Sequence, residues 1–195
     1  MVTTKNVLDD FPFPFSLHDR VTTVLAPFSG MDKIPADVLA NAAKRGTEVH
    51  QIIECIQEGL PHDIPEHLLG YVDSYDAWAK DKKFISKPGR MYCDDLMITG
   101  ELDCLINLDG RILVVDFKTS VAESKTWKYQ GAAYGYLAKK GGYNVQGCVF
   151  VRLQKDGKEA KENCYTIYPE IEGFKRLLEV YREFFAGTKA DMGDF

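Results

Sequence analysis

Apolar residues alternate or cluster along the chain in ways that predict its elements before any single residue is singled out. From Pro35 to Glu58, the positions Val38, Leu39, Ala42, Val49, Ile52, Ile53 and Ile56 recur at helical spacing. Gly46 weakens that helix by about 1 kcal/mol relative to alanine. Pro61 and Pro65 break the pattern, and Leu68 to Lys82 resumes it with Leu69, Val72, Tyr75 and Trp78 on one side. The middle then changes period. Phe84–Tyr92, Leu96–Asn107 and Arg111–Lys118 read as strands, Lys125–Lys139 as a helix, and Val145–Leu153 and Asn163–Tyr168 as strands. Ile171–Phe185 is a final helix, entered through Pro169 and left at Gly187. The expected class is α/β (α+β), a mixed central β-sheet flanked by helices.

The N-terminal stretch breaks these periods. Phe11-Pro12-Phe13-Pro14-Phe15 admits neither helix nor central strand, so residues 1–16 are expected as an extended arm whose Phe side chains pack on the domain. Residues 17–28 are expected to hold a short helix, and residues 17–82 form a helical subregion of one domain spanning 1–195. Composition supports a globular chain: of 195 residues, 45% are hydrophobic and 27% charged. A chain of this length buries roughly 70% of its unfolded surface and needs no disulfide or structural metal to fold. Cys55, Cys93, Cys104, Cys148 and Cys164 have no C-x-x-C spacing and are expected as reduced, mostly buried thiols. No apolar run approaches the ~20 residues of a membrane span, and residues 1–10 lack a signal-like apolar segment. The expected address is cytoplasmic, with no membrane partner. The net charge of −5 argues against a strongly basic nucleic-acid coat but leaves room for a local basic groove.

The most informative segment runs from Gly100 to Lys118. Asp109-Gly110 is a two-residue hairpin turn, which sets Leu108 opposite Arg111 and, counting outward, Asp103 opposite Asp116. Lys118, two residues on, shares the face of Asp116. Val114 lies on that face too, while Leu113, Val115 and Phe117 take the other. A carboxylate in so apolar a strand needs compensation, and two facing carboxylates repel. A divalent cation between them removes both costs. Lys118 alone could instead neutralise the pair as a salt-bridged cluster. Oxygen donors favour Mg²⁺ or Mn²⁺ over Zn²⁺. Downstream, Gln130 and Tyr134 project from one helical face. Trp127 and Tyr129 lie among Lys125 and Lys128, a combination suited to phosphates and unpaired bases.

Together, Arg45-Gly46-Thr47-x-x-His50, Gly100-Glu101-Leu102-Asp103, Val115-Asp116-Phe117-Lys118-Thr119-Ser120 and Gln130-x-x-x-Tyr134 resemble the PD-(D/E)XK nuclease superfamily over about residues 17–140. They are most similar to its RecB-like branch of phage recombination, CRISPR-associated and mitochondrial genome-maintenance exonucleases. The resemblance implies a restriction-endonuclease-like core and a Mg²⁺- or Mn²⁺-dependent deoxyribonuclease. Asp103 and Asp116 would be metal carboxylates, His50 a third side-chain ligand and the Phe117 carbonyl a backbone ligand. Lys118 would orient water or stabilise charge, and Gln130 and Tyr134 would position it or bind phosphate. Glu101, on the opposite strand face from Asp103, receives no chemistry. The closely spaced C-terminal cysteines that hold an iron–sulfur cluster in some relatives have no counterpart here, so no cluster is expected.

The function expected is an exonuclease acting from DNA ends, more readily 5′ than 3′, with single strands tolerated. The setting would be recombination or repair in a bacterial or phage-infected cell, with DNA (single-stranded or resected duplex) and a single-strand annealing or recombination protein as partners. A structure-specific endonuclease and a non-catalytic DNA-binding module are the alternatives. Lys80, Lys82, Lys83, Lys87, Arg90, Lys125 and Lys128 are the expected DNA contacts, and residues 35–82 the expected cover over the site.

Overall fold

The computed structural model describes residues 18–186; the N-terminal arm and Gly187 lie outside that range. A two-residue strand β1 (Asp19–Arg20) leads into α1 (Val21–Leu25), followed by α2 (Ala36–Glu58) and α3 (Leu69–Ala79). Five strands follow: β2 (Lys83–Ser86), β3 (Gly89–Cys93), β4 (Ile98–Leu102), β5 (Cys104–Leu108) and β6 (Arg111–Lys118). Then come α4 (Trp127–Lys140), β7 (Val145–Arg152), β8 (Lys161–Thr166) and α5 (Glu170–Phe184).

The α/β class and the flanking helices are as expected, but the strands divide into two mixed sheets. One has the order β1-β4-β3 and the other β2-β5-β6-β7-β8. Two expected strands are therefore each two. Phe84–Tyr92 breaks around Lys87-Pro88, because proline supplies no N–H to a ladder and biases its neighbour. Leu96–Asn107 breaks at Asp103, where the chain leaves β4 in the smaller sheet and enters β5 in the larger.

The larger sheet separates two cores. On one face, Val114, Cys148 and Phe150 pack with α1, α4 and α5 through Val21, Leu137, Phe174 and Leu178. On the other, Val115, Phe117, Val149 and Val151 pack with α2 and α3 through Val49, Ile53, Tyr75 and Trp78. The alternation along β6 thus holds as expected, with Val114 and Phe117 in opposite cores. Helix α4 lies close on the sheet because it presents small residues. A Cβ at Gly131 would collide with the Cys148 side chain, and one at Gly135 would meet Ile167 at 2.6 Å. Parallel pairing of β6 with β7 places Asp116 beside Phe150 and Lys118 beside Arg152, so α4, the crossover between those strands, starts next to the end of β6.

Candidate active site

The β5–β6 hairpin has the register counted from its turn: Leu108 pairs with Arg111 and Cys104 with Val115. The next step outward brings Asp103 to Asp116. Asp103 is no longer in a strand there, and its Oδ2 accepts the Phe117 backbone N–H at 2.7 Å. This bond replaces a ladder bond at the point where the chain changes sheets. It also fixes the carboxylate against the end of β6.

Three further side chains converge on the pair. His50, from α2, sets Nδ1 3.1 Å from Asp103 Oδ1 and Nε2 2.9 Å from the Phe117 carbonyl. Both partners accept when Asp103 is ionised, so both ring nitrogens donate, and the imidazolium is the form that satisfies them. Burial opposes that charge, but the field and hydrogen bond of Asp103, aided by Asp116, raise the histidine to about 9. Asp103 responds in kind. Burial pushes its carboxyl up, yet His50, the Phe117 N–H and Lys118 together hold it below the ordinary carboxylate range. Asp116 goes the other way. Burial raises it and nearby Asp103 adds to the rise, against Lys118 and His50. Only 5% of Asp116 is exposed.

Asp116 is held at both oxygens by neighbours of different kinds. Gln130 Nε2, from the first turn of α4, donates to Oδ1 at 3.0 Å. Oδ2 is buried without a regular hydrogen bond, and its close neighbour is Lys118 Nζ at 2.7 Å. Lys118 Nζ also lies 5.3 Å from the Phe150 ring centre. Tyr134, one turn after Gln130, hydrogen-bonds it, and burial pushes its phenol pKa upward. The Tyr134 ring rests on Gly100, where a Cβ would come within 2.7 Å of it. That contact explains the glycine of the Gly-x-x-Asp stretch as a seat for α4.

These residues line a cavity of about 540 Å³. All the singled-out side chains, His50, Asp103, Asp116, Lys118, Gln130 and Tyr134, belong to its wall, with Phe117. Sequence reasoning missed Arg20, Gln51 and Gln57, which also line it. No local signal marks them, because they reach the cavity only through the packing of β1 and α2. Glu101 is there as well, bound by Arg90 at 2.6 Å. Its exclusion assumed one strand running through Asp103; the break between β4 and β5 removes that premise.

The expected DNA contacts divide. Lys87 and Arg90 line the cavity, though Lys87 pairs with Glu54 and Glu58. Lys80, Lys82, Lys83, Lys125 and Lys128 do not, and Lys82 is bound to Glu162 at 2.9 Å. Trp127 is not an exposed stacking surface. It is 5% exposed and lies flat on Phe150, with ring centres 5.2 Å apart, because helix α4 turns it into the core. Tyr129 packs beside Gly173 under Lys128. Of the 35–82 region, α2 flanks the cavity; α3 instead covers the Phe117 face of the sheet.

Among the described residues, no three His, Cys, Asp or Glu side chains are gathered as a preformed metal cluster. Each carboxylate has its own basic partner, His50 on Asp103 and Lys118 on Asp116, so the salt-bridged alternative describes this arrangement with one more basic group than expected. The oxygen atoms nevertheless suit a hard divalent ion. Asp116 Oδ2 is buried with the Lys118 ammonium as its partner, and Asp103 Oδ1 and the Phe117 carbonyl both face the His50 ring, so three oxygens converge on one place.

A family model described as the PD-(D/E)XK nuclease superfamily matches residues 71–195, nearly two thirds of the chain. The match contains Asp103, Asp116, Lys118, Gln130 and Tyr134, and His50 lies before it. The crystal structure of SSO0001 aligns with 16% identity and a TM-score of 0.48, covering 90% of this chain and 79% of that one. No curated protein matches the chain.

Proposed function

The chain belongs to the PD-(D/E)XK nuclease superfamily, and we propose that within it this protein is a divalent-metal-dependent DNA exonuclease. The observation that carries the reading is the meeting of Asp103, Asp116 and Lys118 at the end of β6, on the wall of an open cavity. Asp103, Asp116 and the Phe117 carbonyl would hold Mg²⁺ or Mn²⁺, with His50 as a further ligand. The ion would supply neutralisation of the charge that builds on the phosphate oxygens during hydrolysis.

The side chains have separable tasks. Lys118 would orient the attacking water by its ammonium group or stabilise the negative charge that develops on the phosphate. Gln130 fixes the rotamer of Asp116 from α4, and Tyr134 fixes Gln130. The Phe117 N–H fixes Asp103. To act as a ligand, His50 must give up one of its two N–H protons, which frees only the acceptor of that nitrogen, Asp103 Oδ1 for Nδ1 or the Phe117 carbonyl for Nε2. Arg90 and Lys87 line the cavity and would contact phosphate by exchanging their carboxylate partners, Glu101 for Arg90 and Glu54 and Glu58 for Lys87.

End preference, 5′ polarity and a role in recombination or repair beside an annealing or recombination protein rest on similarity to the RecB-like branch. Single-strand tolerance rests there too, since buried Trp127 removes the stacking argument. Digestion of linear and circular single strands with Mg²⁺ is the test. The exonuclease predicts loss of the linear strand only. Equal cutting of both establishes an endonuclease instead.

A further inference from the structure

We propose that a second cavity, across α2 from the candidate active site, is a phosphate-binding subsite for the nucleic-acid strand. Its volume is about 310 Å³, and Lys44, Arg45, Glu48, His67, Tyr71 and Lys155 line it. At 100° per residue, Lys44, Arg45 and Glu48 fall on roughly the opposite side of α2 from Gly46 and His50. One helix therefore separates two cavities, its Arg45-Gly46 step facing each in turn.

Charge argues for an anion. Leaving His67 uncounted, three permanent cations meet one carboxylate, in a chain whose net charge is −5. Glu48 does not satisfy them, lying 3.9 Å from Lys44 Nζ and 3.8 Å from His67 Nε2. Arg45 carries the second observation. Its Nε is buried and donates to nothing, while its guanidinium carbon lies 5.9 Å from the Tyr71 ring centre. With no acceptor held at its Nε, the Arg45 guanidinium on the cavity wall is not committed to a carboxylate, and a guanidinium is the side chain that best pairs with an oxyanion.

The opposite wall is preorganised. Gly70 admits the backbone of Lys155, which any Cβ there would strike. Gln154 N–H donates to Ser74 Oγ at 3.0 Å, and Gly157 turns with φ of 73°. The segment carrying Lys155 is thereby fastened to α3. A phosphodiester is the anion that a strand leaving the neighbouring cavity would bring. The inference that the phosphate belongs to a strand rests on the nuclease reading; the affinity for phosphate does not.

Two arms test it with the full chain, using Lys44→Gln, Lys155→Glu and Arg45→Gln, and Lys33→Gln as a control. The first titrates inorganic pyrophosphate while amide resonances of Lys44, Arg45 and Lys155 are followed. Saturable shifts in the wild type, lost in Lys155→Glu, are expected. No shift, or shifts equal in Lys155→Glu, overturns the subsite. The second arm measures affinity for a short single-stranded oligonucleotide against salt. A roughly three- to tenfold loss with Lys44→Gln or Lys155→Glu is expected, with a log–log salt slope smaller by about 0.7–1 per phosphate contact. Equal affinity and slope in variants and control overturn the strand as occupant. Absence of any metal-dependent DNA cleavage counts against the nuclease reading, whereas the pyrophosphate arm remains decisive for the cavity.

Discussion

The two ends of the β5–β6 hairpin are built on different principles. At the turn end everything is local: Asp109 and Gly110 take φ of 51° and 83°, and Asn107 Oδ1 accepts the Gly110 N–H at 2.8 Å. At the other end, apart from the Asp116–Lys118 ion pair, the contacts come from distant elements. Asp103 leaves its strand, a histidine arrives from α2 to pair with Asp103, and a glutamine from α4 joins Lys118 on Asp116. The turn sets the register, and the register delivers Asp103 to Asp116. The open end holds the polar groups that a continued ladder would have no room for. Stability written locally at one end thus positions chemistry assembled from distant elements at the other.

The largest difference between the ends is expected in activity. Asp116→Ala and Lys118→Ala should each abolish metal-dependent cleavage while the circular dichroism spectrum stays that of a folded protein. Retained cleavage in either variant would remove the catalytic assignment of the open end. Packing around that end comes next. Gly100→Val must displace the Tyr134 ring and Leu137, costing about 1–3 kcal/mol and measurable as a lower urea midpoint. Loss of cleavage should accompany it, because Tyr134 holds Gln130. A fully stable, fully active Gly100→Val would show that α4 does not need that seat.

At the turn, Gly110→Ala should cost about 1 kcal/mol, since alanine is strained at positive φ. Cleavage well below the melting temperature should be unaffected, and a large activity loss would break the division between the ends. The smallest effect concerns pH. His50 is raised from 6.5 to about 9 in the folded, metal-free chain, so its contribution is full below the ordinary value and is lost as pH rises through about 9. The melting-temperature gap between wild type and His50→Ala should therefore narrow from about pH 6.5 to about pH 10. A gap that widens over that range contradicts the His50–Asp103 ion pair.

The same contrast explains what the sequence revealed. The turn residues set the register directly, and the alternation of Val114, Val115 and Phe117 separated the two cores correctly. The division into two sheets was hidden because Leu96–Asn107 carries no proline or glycine at its break; Asp103 itself is the breaker, through a bond to a backbone 14 residues away. Trp127 differs from the expectation because neighbouring lysines suggest exposure, whereas the 3.6-residue period of α4 puts it on the buried face with Gln130, Gly131 and Tyr134. Arg20 and Gln57 reach the cavity only by tertiary packing, which no local spacing encodes.

The metal site is tested most directly by calorimetric titration of Mn²⁺ into the wild type, Asp116→Asn and Lys118→Ala. Binding is expected in the wild type, retained in Lys118→Ala and lost in Asp116→Asn. Binding that survives in Asp116→Asn, or is absent from the wild type, would contradict the assignment of these carboxylates as metal ligands.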